Sequence, residues 1–394
     1  MMKDWKKIRL GNACTTNADV YSPRENWSFV NYLDTGNITD NKIDSIQCID
    51  VKNQKLPSRA RRKVVHNSII YSTVRPNQRH FGIIKSQPEH FLVSTGFAVI
   101  NVDESILDAD FLYYVLTQEA LVEMLHAIAE QSTSAYPAIK ASDIEDLEIE
   151  IPNLETQKRI AGILRSLDVK IAQNTRINHN LLQQARSIFT QEFLSLDSIP
   201  DGWQESSLLG IADYLNGLAM QKYRPKDNEQ GLPVLKIKEL RQGFCDSNSE
   251  LCSPSIKPEY IVHDGDVIFS WSGSLLVDLW CGGTCGLNQH LFKVTSSSYD
   301  KWFYYAWTNH HLQRFVAIAT DKATTMGHIK REELAKSEVL IPSKSDYERI
   351  GGLLAPLYDL VVINRIENLK LASLRDELLP LLMSGQLNVS EVPL

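Results

Sequence analysis

Residues 341–382 repeat the pattern of residues 151–192 at a constant offset of 190, and an internal repeat of that length dictates a duplicated fold. Ile151-Pro152 returns as Ile341-Pro342, Arg159-Ile160 as Arg349-Ile350, and Gly162 as Gly352. Each copy reads as one long helix. Ile160, Leu164, Leu167 and Ile171 in the first, and Ile350, Leu354, Leu357 and Val361 in the second, follow a 4-3 spacing. That spacing makes the narrow apolar seam of a coiled coil. Asn174 and Asn178 interrupt the first seam, and Asn364 and Asn368 interrupt the second at the same slots. A buried Asn needs a partner and so favours one register. Pairing the two sets across an antiparallel coil satisfies both. At about 1.5 Å per residue, some forty residues make a rod of roughly 60 Å, a spacer between two bodies. Pro356, where the first copy has Ser166, removes an amide donor and is expected to kink the second rod near its start.

The repeat continues upstream of the helices. Phe111-Leu112-Tyr113-Tyr114 returns as Trp302-Phe303-Tyr304-Tyr305, residues 65–73 as 262–270, and residues 136–140 as 326–330. Short apolar runs bounded by turn residues predict strands, and the spacing over 109–129 predicts a helix. The expected fold is therefore mixed α/β, with two similar domains and two long antiparallel helices. The boundaries fall at 1–150 for the first domain, 151–200 for a central helical spacer, 201–340 for the second domain and 341–394 for a C-terminal spacer. Scaffold positions match while the loops differ, as in related domains built to touch different things.

A chain of 394 residues with 43% hydrophobic residues can bury two cores. It has no run of 18 apolar residues and begins without a signal-peptide pattern, so no membrane association and a cytoplasmic location are expected. Its six cysteines lie unevenly; Cys245, Cys252, Cys281 and Cys285 form no CxxC pair and read as buried thiols rather than zinc ligands. The net charge of −7 argues against strong sequence-independent binding to nucleic acid by this chain alone. Charge is uneven, however: residues 1–100 carry 15 Lys and Arg against 8 Asp and Glu, and residues 101–150 carry 1 against 12. No phosphate-binding G-x-x-x-x-G-K-[ST], no G-x-G-x-x-G after a strand and no Asn/Asp-Pro-Pro-aromatic sequence is present. His66 and His263 precede strands and read as turn histidines. No catalytic residue and no metal site is expected.

The double architecture resembles the specificity (S) subunits of type I restriction-modification systems over essentially the whole chain. The likeness is carried by the duplicated helices, the first opening on Leu154-Glu155-Thr156-Gln157-Lys158-Arg159-Ile160, and by Leu379-Pro380-Leu381-Leu382-Met383-Ser384-Gly385 near the C-terminus. Ile70-Tyr71-Ser72-Thr73-Val74-Arg75-Pro76 and Phe269-Ser270-Trp271-Ser272-Gly273-Ser274 share it. The resemblance implies two target-recognition domains, each reading half of a split asymmetric site in double-stranded DNA. It implies helices that dock two methyltransferase (M) subunits, with restriction (R) subunits joined through the complex. It also implies a chain that is not an enzyme and binds no cofactor. S-adenosylmethionine, ATP and Mg are then expected on the partner subunits. A rival of another class is a coiled-coil scaffold that joins two partner proteins without reading DNA; such a scaffold has no need of polar loops.

Residue type and place pick out the candidate DNA contacts. Arg75, Asn77, Gln78, Arg79 and His80 form a polar loop after a strand; Arg suits guanine, and Asn or Gln suits adenine. Arg59, Arg61, Arg62 and Lys63 suit phosphates, which position the protein without reading sequence. Tyr136 and Lys140 follow later. In the second domain the candidates are Ser272, Gly273 and Ser274, then Asn288, Gln289 and His290, then Thr324, Thr325, His328 and Lys330. Lys222, Arg224, Lys236 and Lys238 are phosphate candidates there. Trp271 reads as a core tryptophan rather than a wedge between bases.

Overall fold

The computed structural model describes residues 5–131, 137–321 and 329–389. It is a mixed α/β protein of two compact units, Met1–Val169 with Ser373–Leu394, and Lys170–Ala372. The central helix, Leu154–Phe189, begins in the first unit and ends in the second, and the C-terminal helix, Lys344–Met383, does the reverse. Asn153 and Ser343, again 190 positions apart, cap the two helices: Asn153 Oδ1 accepts from Thr156 N at 2.9 Å and Ser343 Oγ from Asp346 N at 3.3 Å. The C-terminal helix runs unbroken through Pro356, whose missing amide would have bonded the Gly352 carbonyl.

In the first unit, one four-stranded sheet orders Cys14–Thr16, Phe97–Val102, Ile69–Ser72 and Phe81–Ile83. A second orders Gln47–Asp50, Phe29–Leu33, Phe91–Ser94 and Ala60–Arg62. The second unit repeats both. Asp213–Asn216, Leu291–Thr295, Val267–Ser270 and Leu276–Leu279 form one sheet. Leu251–Cys252, Leu232–Leu235, Cys285–Leu287 and Ile261–Val262 form the other. In each unit a parallel pair of strands sits inside the second sheet, Leu92 beside Tyr32 and Gly286 beside Val234. The copies diverge where the chain leaves that pair. The first makes a small hairpin, Ile38–Thr39 with Lys42–Ile43, and the second makes a short helix, Ile237–Gln242.

The apolar stripe of each long helix has two jobs. Its ends sink into the domain cores: Ile160 and Leu164 pack with Phe111, Leu112 and Leu382 in the first unit, and Ala185 and Phe189 with Phe303, Ile350 and Leu354 in the second. In the middle the two helices are joined by asparagine pairs. There Asn174 Nδ2 donates to Asn368 Oδ1 at 2.9 Å, and Asn364 Nδ2 donates to Asn178 Oδ1 at 2.8 Å. One residue number rises as the other falls, so the helices are antiparallel. The earlier Asn of each helix meets the later Asn of the other, the mark of a local two-fold relation. Asn178 and Asn364 are both buried. Asn178→Leu is therefore expected to destabilise the protein by about 1–3 kcal/mol, the cost of leaving the Asn364 amide without its partner. Adding Asn364→Leu should recover most of that loss. Denaturant unfolding of the three proteins checks this; a double variant no better than the single one would show that the pair does not act as a unit.

One expected element is divided. The segment 109–129, read as one helix, forms two, Ala109–Leu116 and Glu119–Glu130, whereas its counterpart Lys301–Asp321 is continuous. Arg79 accounts for the break. Its Nη2 donates to the Thr117 carbonyl at 3.4 Å and its Nη1 to Glu119 Oε2 at 2.7 Å, so the carbonyl at the break has a partner outside the helix.

Candidate nucleic-acid interface

In the first unit, strand Ile69–Ser72 delivers the loop 73–80, and backbone hydrogen bonds tie that loop to two other candidate segments. Thr73 N donates to Gly96 O at 2.8 Å, Ile139 N to Thr73 O at 2.8 Å and Arg75 N to Pro137 O at 3.0 Å. Thr95 N donates in turn to Arg59 O at 2.9 Å. The turn 94–96, the basic strand, the Arg75 loop and the segment ending at Lys140 thus belong to one connected surface. Arg75 and Arg79 flank the short turn Pro76–Gln78, both left-handed, at φ +47° and +56°. Two such residues bracketing one turn are a conformation that the surroundings must hold in place, as at many binding loops. Asn77 and Gln78 lie exposed at its tip.

Arg79 and His80 have other work. Arg79 Nε donates to Asp40 Oδ1 at 2.7 Å, its Nη groups take Glu119 and the Thr117 carbonyl, and the guanidinium lies 5.3 Å from the Phe81 ring centre. Burial pulls its pKa down, but Asp40 and Glu119 outweigh that and hold it above the ordinary arginine value. It is a strut that fixes the loop. His80 Nδ1 lies 2.6 Å from the Ile38 carbonyl, so Nδ1 carries the proton. The basic run divides in the same way. Arg62 turns inward to Asn17, with its pKa lowered by burial. Lys63 meets Glu25 at 2.7 Å, which raises its pKa, and lies 5.5 Å from the Trp27 ring centre. Arg59 and Arg61 stay exposed on alternate positions of the strand region, as does Lys140 at the start of its short helix.

The second unit builds the corresponding surface from different side chains. The turn 288–290 takes the place of 94–96, and Ile329 N donates to the Trp271 carbonyl at 3.0 Å as Ile139 does to Thr73. Ser272 Oγ meets His290 Nδ1 at 3.1 Å, Asn288 Oδ1 accepts from His290 N at 3.2 Å, and Gln289 Nε2 lies 3.5 Å from His290 Nε2. Trp271 stacks on Phe292 with ring centres 5.6 Å apart, and its Nε1 donates to Asn216 Oδ1 at 3.0 Å. It is half-buried and braced at both ends of the ring, a support for the loop rather than a free wedge. Gly273 has φ +64°, which suits glycine, and it lies exposed beside exposed Ser274. A Cβ on Gly217 would sit 2.2 Å from the Asn288 carbonyl, so only glycine lets these two backbones approach.

Of the cationic candidates here, Lys236 pairs with Glu250 at 2.9 Å, with Arg224 at 3.6 Å from the same carboxylate, and Lys238 pairs with Asp246 at 3.1 Å. The Lys236 hydrogen bond holds Glu250 below the usual carboxylate range. Lys222 and Lys330 are exposed. Tyr136, Thr324, Thr325 and His328 lie outside the described residues. The sequence reading passed over Asn216 and Asp40, which hold Trp271 and Arg79. Asn216-Gly217 is a turn signal that could have marked the first, but no local pattern marks Asp40 as the partner of an arginine 39 positions away. The assembled groups are hydrogen-bond donors and acceptors. Among the described residues no cluster of His, Cys, Asp and Glu is arranged to hold a metal ion, and no helix is long and apolar enough to cross a membrane.

Comparison with known proteins gives one consistent family. A family model described as the type I restriction modification DNA specificity domain matches residues 2–183 and again 200–372. The specificity subunit of the type I restriction enzyme HindI from Haemophilus influenzae is 20% identical, with 98% of this chain and 100% of that protein aligned. The MjaIX specificity subunit of Methanocaldococcus jannaschii is 25% identical over 72% of this chain and 70% of its own. The crystal structure of a type I restriction-modification S subunit from M. genitalium shares the fold, with a TM-score of 0.59 over 97% of both chains at 14% identity.

Proposed function

The chain belongs to the type I restriction-modification DNA specificity family, a non-catalytic family with a role in DNA recognition, and from that premise we propose that its two domains read the two halves of a split, asymmetric target in double-stranded DNA. The observation that carries this reading is the matched pair of loop surfaces. Each unit brings the same three backbone segments together, yet fills them with different base-edge partners. The first presents Arg75, Asn77 and Gln78, and the second presents Ser274, Gln289 and His290. Two surfaces of one design and different chemistry suit two different half-sites. A scaffold that only joined proteins would have no use for them.

The supporting cations divide by what else they touch. Arg59, Arg61, Lys140, Lys222 and Lys330 are the phosphate contacts of this reading, while Arg62, Arg79, Lys63, Lys236 and Lys238 are engaged by partners within the chain. The long helices dock two methyltransferase subunits, related as the helices are by a local two-fold, and restriction subunits join through that complex in the cytoplasm. S-adenosylmethionine, ATP and Mg act on those partners.

The test is a pair of substitutions measured by DNA binding of the methyltransferase complex. Arg75→Ala is expected to lose about 1–3 kcal/mol at the cognate site, roughly 5- to 150-fold, and to relax selectivity in one half-site only. Arg61→Ala is expected to weaken binding to all sequences and to lower the salt slope by about 1. Equal losses on cognate and unrelated DNA for Arg75→Ala would remove that loop from base reading.

A further inference from the structure

The second unit holds an open groove of about 540 Å³ between the start of helix Lys301–Asp321 and the C-terminal helix. Its floor is aromatic: Trp302, Tyr305 and Tyr358 are buried there, with Tyr347 half-buried beside them. The helix wall is cut back to Gly351 and Ala355. A Cβ on Gly351 would come within 2.9 Å of the Trp302 indole nitrogen, so the wall and the floor are already in contact. Asp300, Glu348 and Asp359 stand exposed on the rim, against one cation, Lys301.

The first copy carries different side chains at the matching positions. Ala355 corresponds to Arg165, Glu348 to Lys158 and Asp359 to Val169, each at the offset of 190. In the first unit Arg165 reaches to 3.8 Å from Asp110, at the start of the helix that corresponds to Lys301–Asp321, and Lys85 meets the same carboxylate at 2.7 Å. There a guanidinium of the same chain lies near the start of the facing helix, its side chain 54% exposed. In the second unit the arginine is an alanine and Asp110 is replaced by Lys301, while Asp300, Glu348 and Asp359 supply carboxylates from other positions on the rim, and the space is open.

We propose that this groove is a socket for an arginine side chain on a basic segment of a partner protein. The guanidinium from the partner stacks over the aromatic floor and pairs with the rim carboxylates. A planar guanidinium stacks on Tyr and Trp faces and pairs with carboxylates in fork geometry, which a lysine does less well. The three carboxylates repel phosphate, so a protein segment rather than a nucleic acid is the occupant. The first copy has Arg165 in place of Ala355 and Lys158 in place of Glu348, so one such segment per chain is expected. The inference does not rest on the DNA reading, and its test contains no DNA.

The test uses the full chain and a fluorescein-labelled hexa-arginine peptide, followed by anisotropy near physiological salt. Hexa-arginine is expected to bind one per chain and at least several-fold tighter than hexa-lysine. Ala355→Arg, which puts a long cationic side chain on the groove wall, should weaken binding at least 10-fold. Should Ala355→Arg lower the melting temperature, the double variant Glu348→Gln with Asp359→Asn supplies the same comparison without added bulk. Asp201→Asn with Asp227→Asn, equal in charge change and outside the groove, should leave binding within 2-fold. Equal loss in the remote pair, or binding untouched by both groove variants, would overturn the proposal. So would self-association of the chain that Ala355→Arg abolishes while hexa-arginine fails to bind, since the occupant would then be a second copy.

Discussion

Inserting one heptad into each long helix, after Arg176 and after Arg365, is expected to lengthen the unread gap between half-sites by roughly three base pairs. These points face each other across the pair, between Asn174 with Asn368 on one side and Asn178 with Asn364 on the other. Both asparagine pairs therefore survive, and so do the helix ends buried in the domain cores. Seven residues add about 10 Å, and DNA rises about 3.4 Å per base pair. Three base pairs also turn the DNA by about a quarter of a turn, so methylation is expected at a lower level. Three heptads add about 32 Å, close to the 34–36 Å of a full DNA turn, and should restore much of the lost level with a gap longer by nine or ten base pairs. The readout is the methylated motif of cells expressing each form with the methyltransferase partner. An unchanged gap in both forms would show that the helices do not measure the distance.

Exchanging residues 1–150 for the matching domain of a relative should replace one half of the recognised motif and leave the other half intact. The boundary is chosen so that the central helix, from Leu154 onward, stays native. Both interfaces of that helix then remain, apart from the packing of Ile160 and Leu164 on the incoming domain. The expected change is complete at one half-site, whereas a single loop substitution relaxes only one or two positions. Loss of both halves together, in a protein that still assembles, would contradict independent reading.

The duplicated fold was legible because periodicity and order are local properties of the chain. The 4-3 stripe, the seam asparagines and the matched strand runs are visible without coordinates. What the stripe could not reveal is its double use: Ile160 and Leu354 occupy seam slots but pack into domain cores, since a heptad slot says that a side chain is buried and not against what. The loop at 73–80 was visible as polar, yet the division of labour within it was not. Arg75 and Arg79 look alike in sequence. Arg79 becomes a strut because Asp40 and Glu119, from two distant segments, converge on it. The same ion pairs explain the helix break at Thr117, which the hydrophobic spacing of 109–129 runs straight across. Likewise Arg62, Lys63, Lys236 and Lys238 read as free cations until their carboxylate or amide partners are placed in space.

Whether one chain reads two half-sites across a fixed gap is decided by mapping N6-methyladenine genome-wide. The host should lack other such methylation and express this chain with its neighbouring methyltransferase subunit. Methylation is expected at a single asymmetric motif of two short specified segments separated by a constant stretch of unspecified bases, absent when this chain is omitted. A continuous motif, or methylation that persists without the chain, would contradict it.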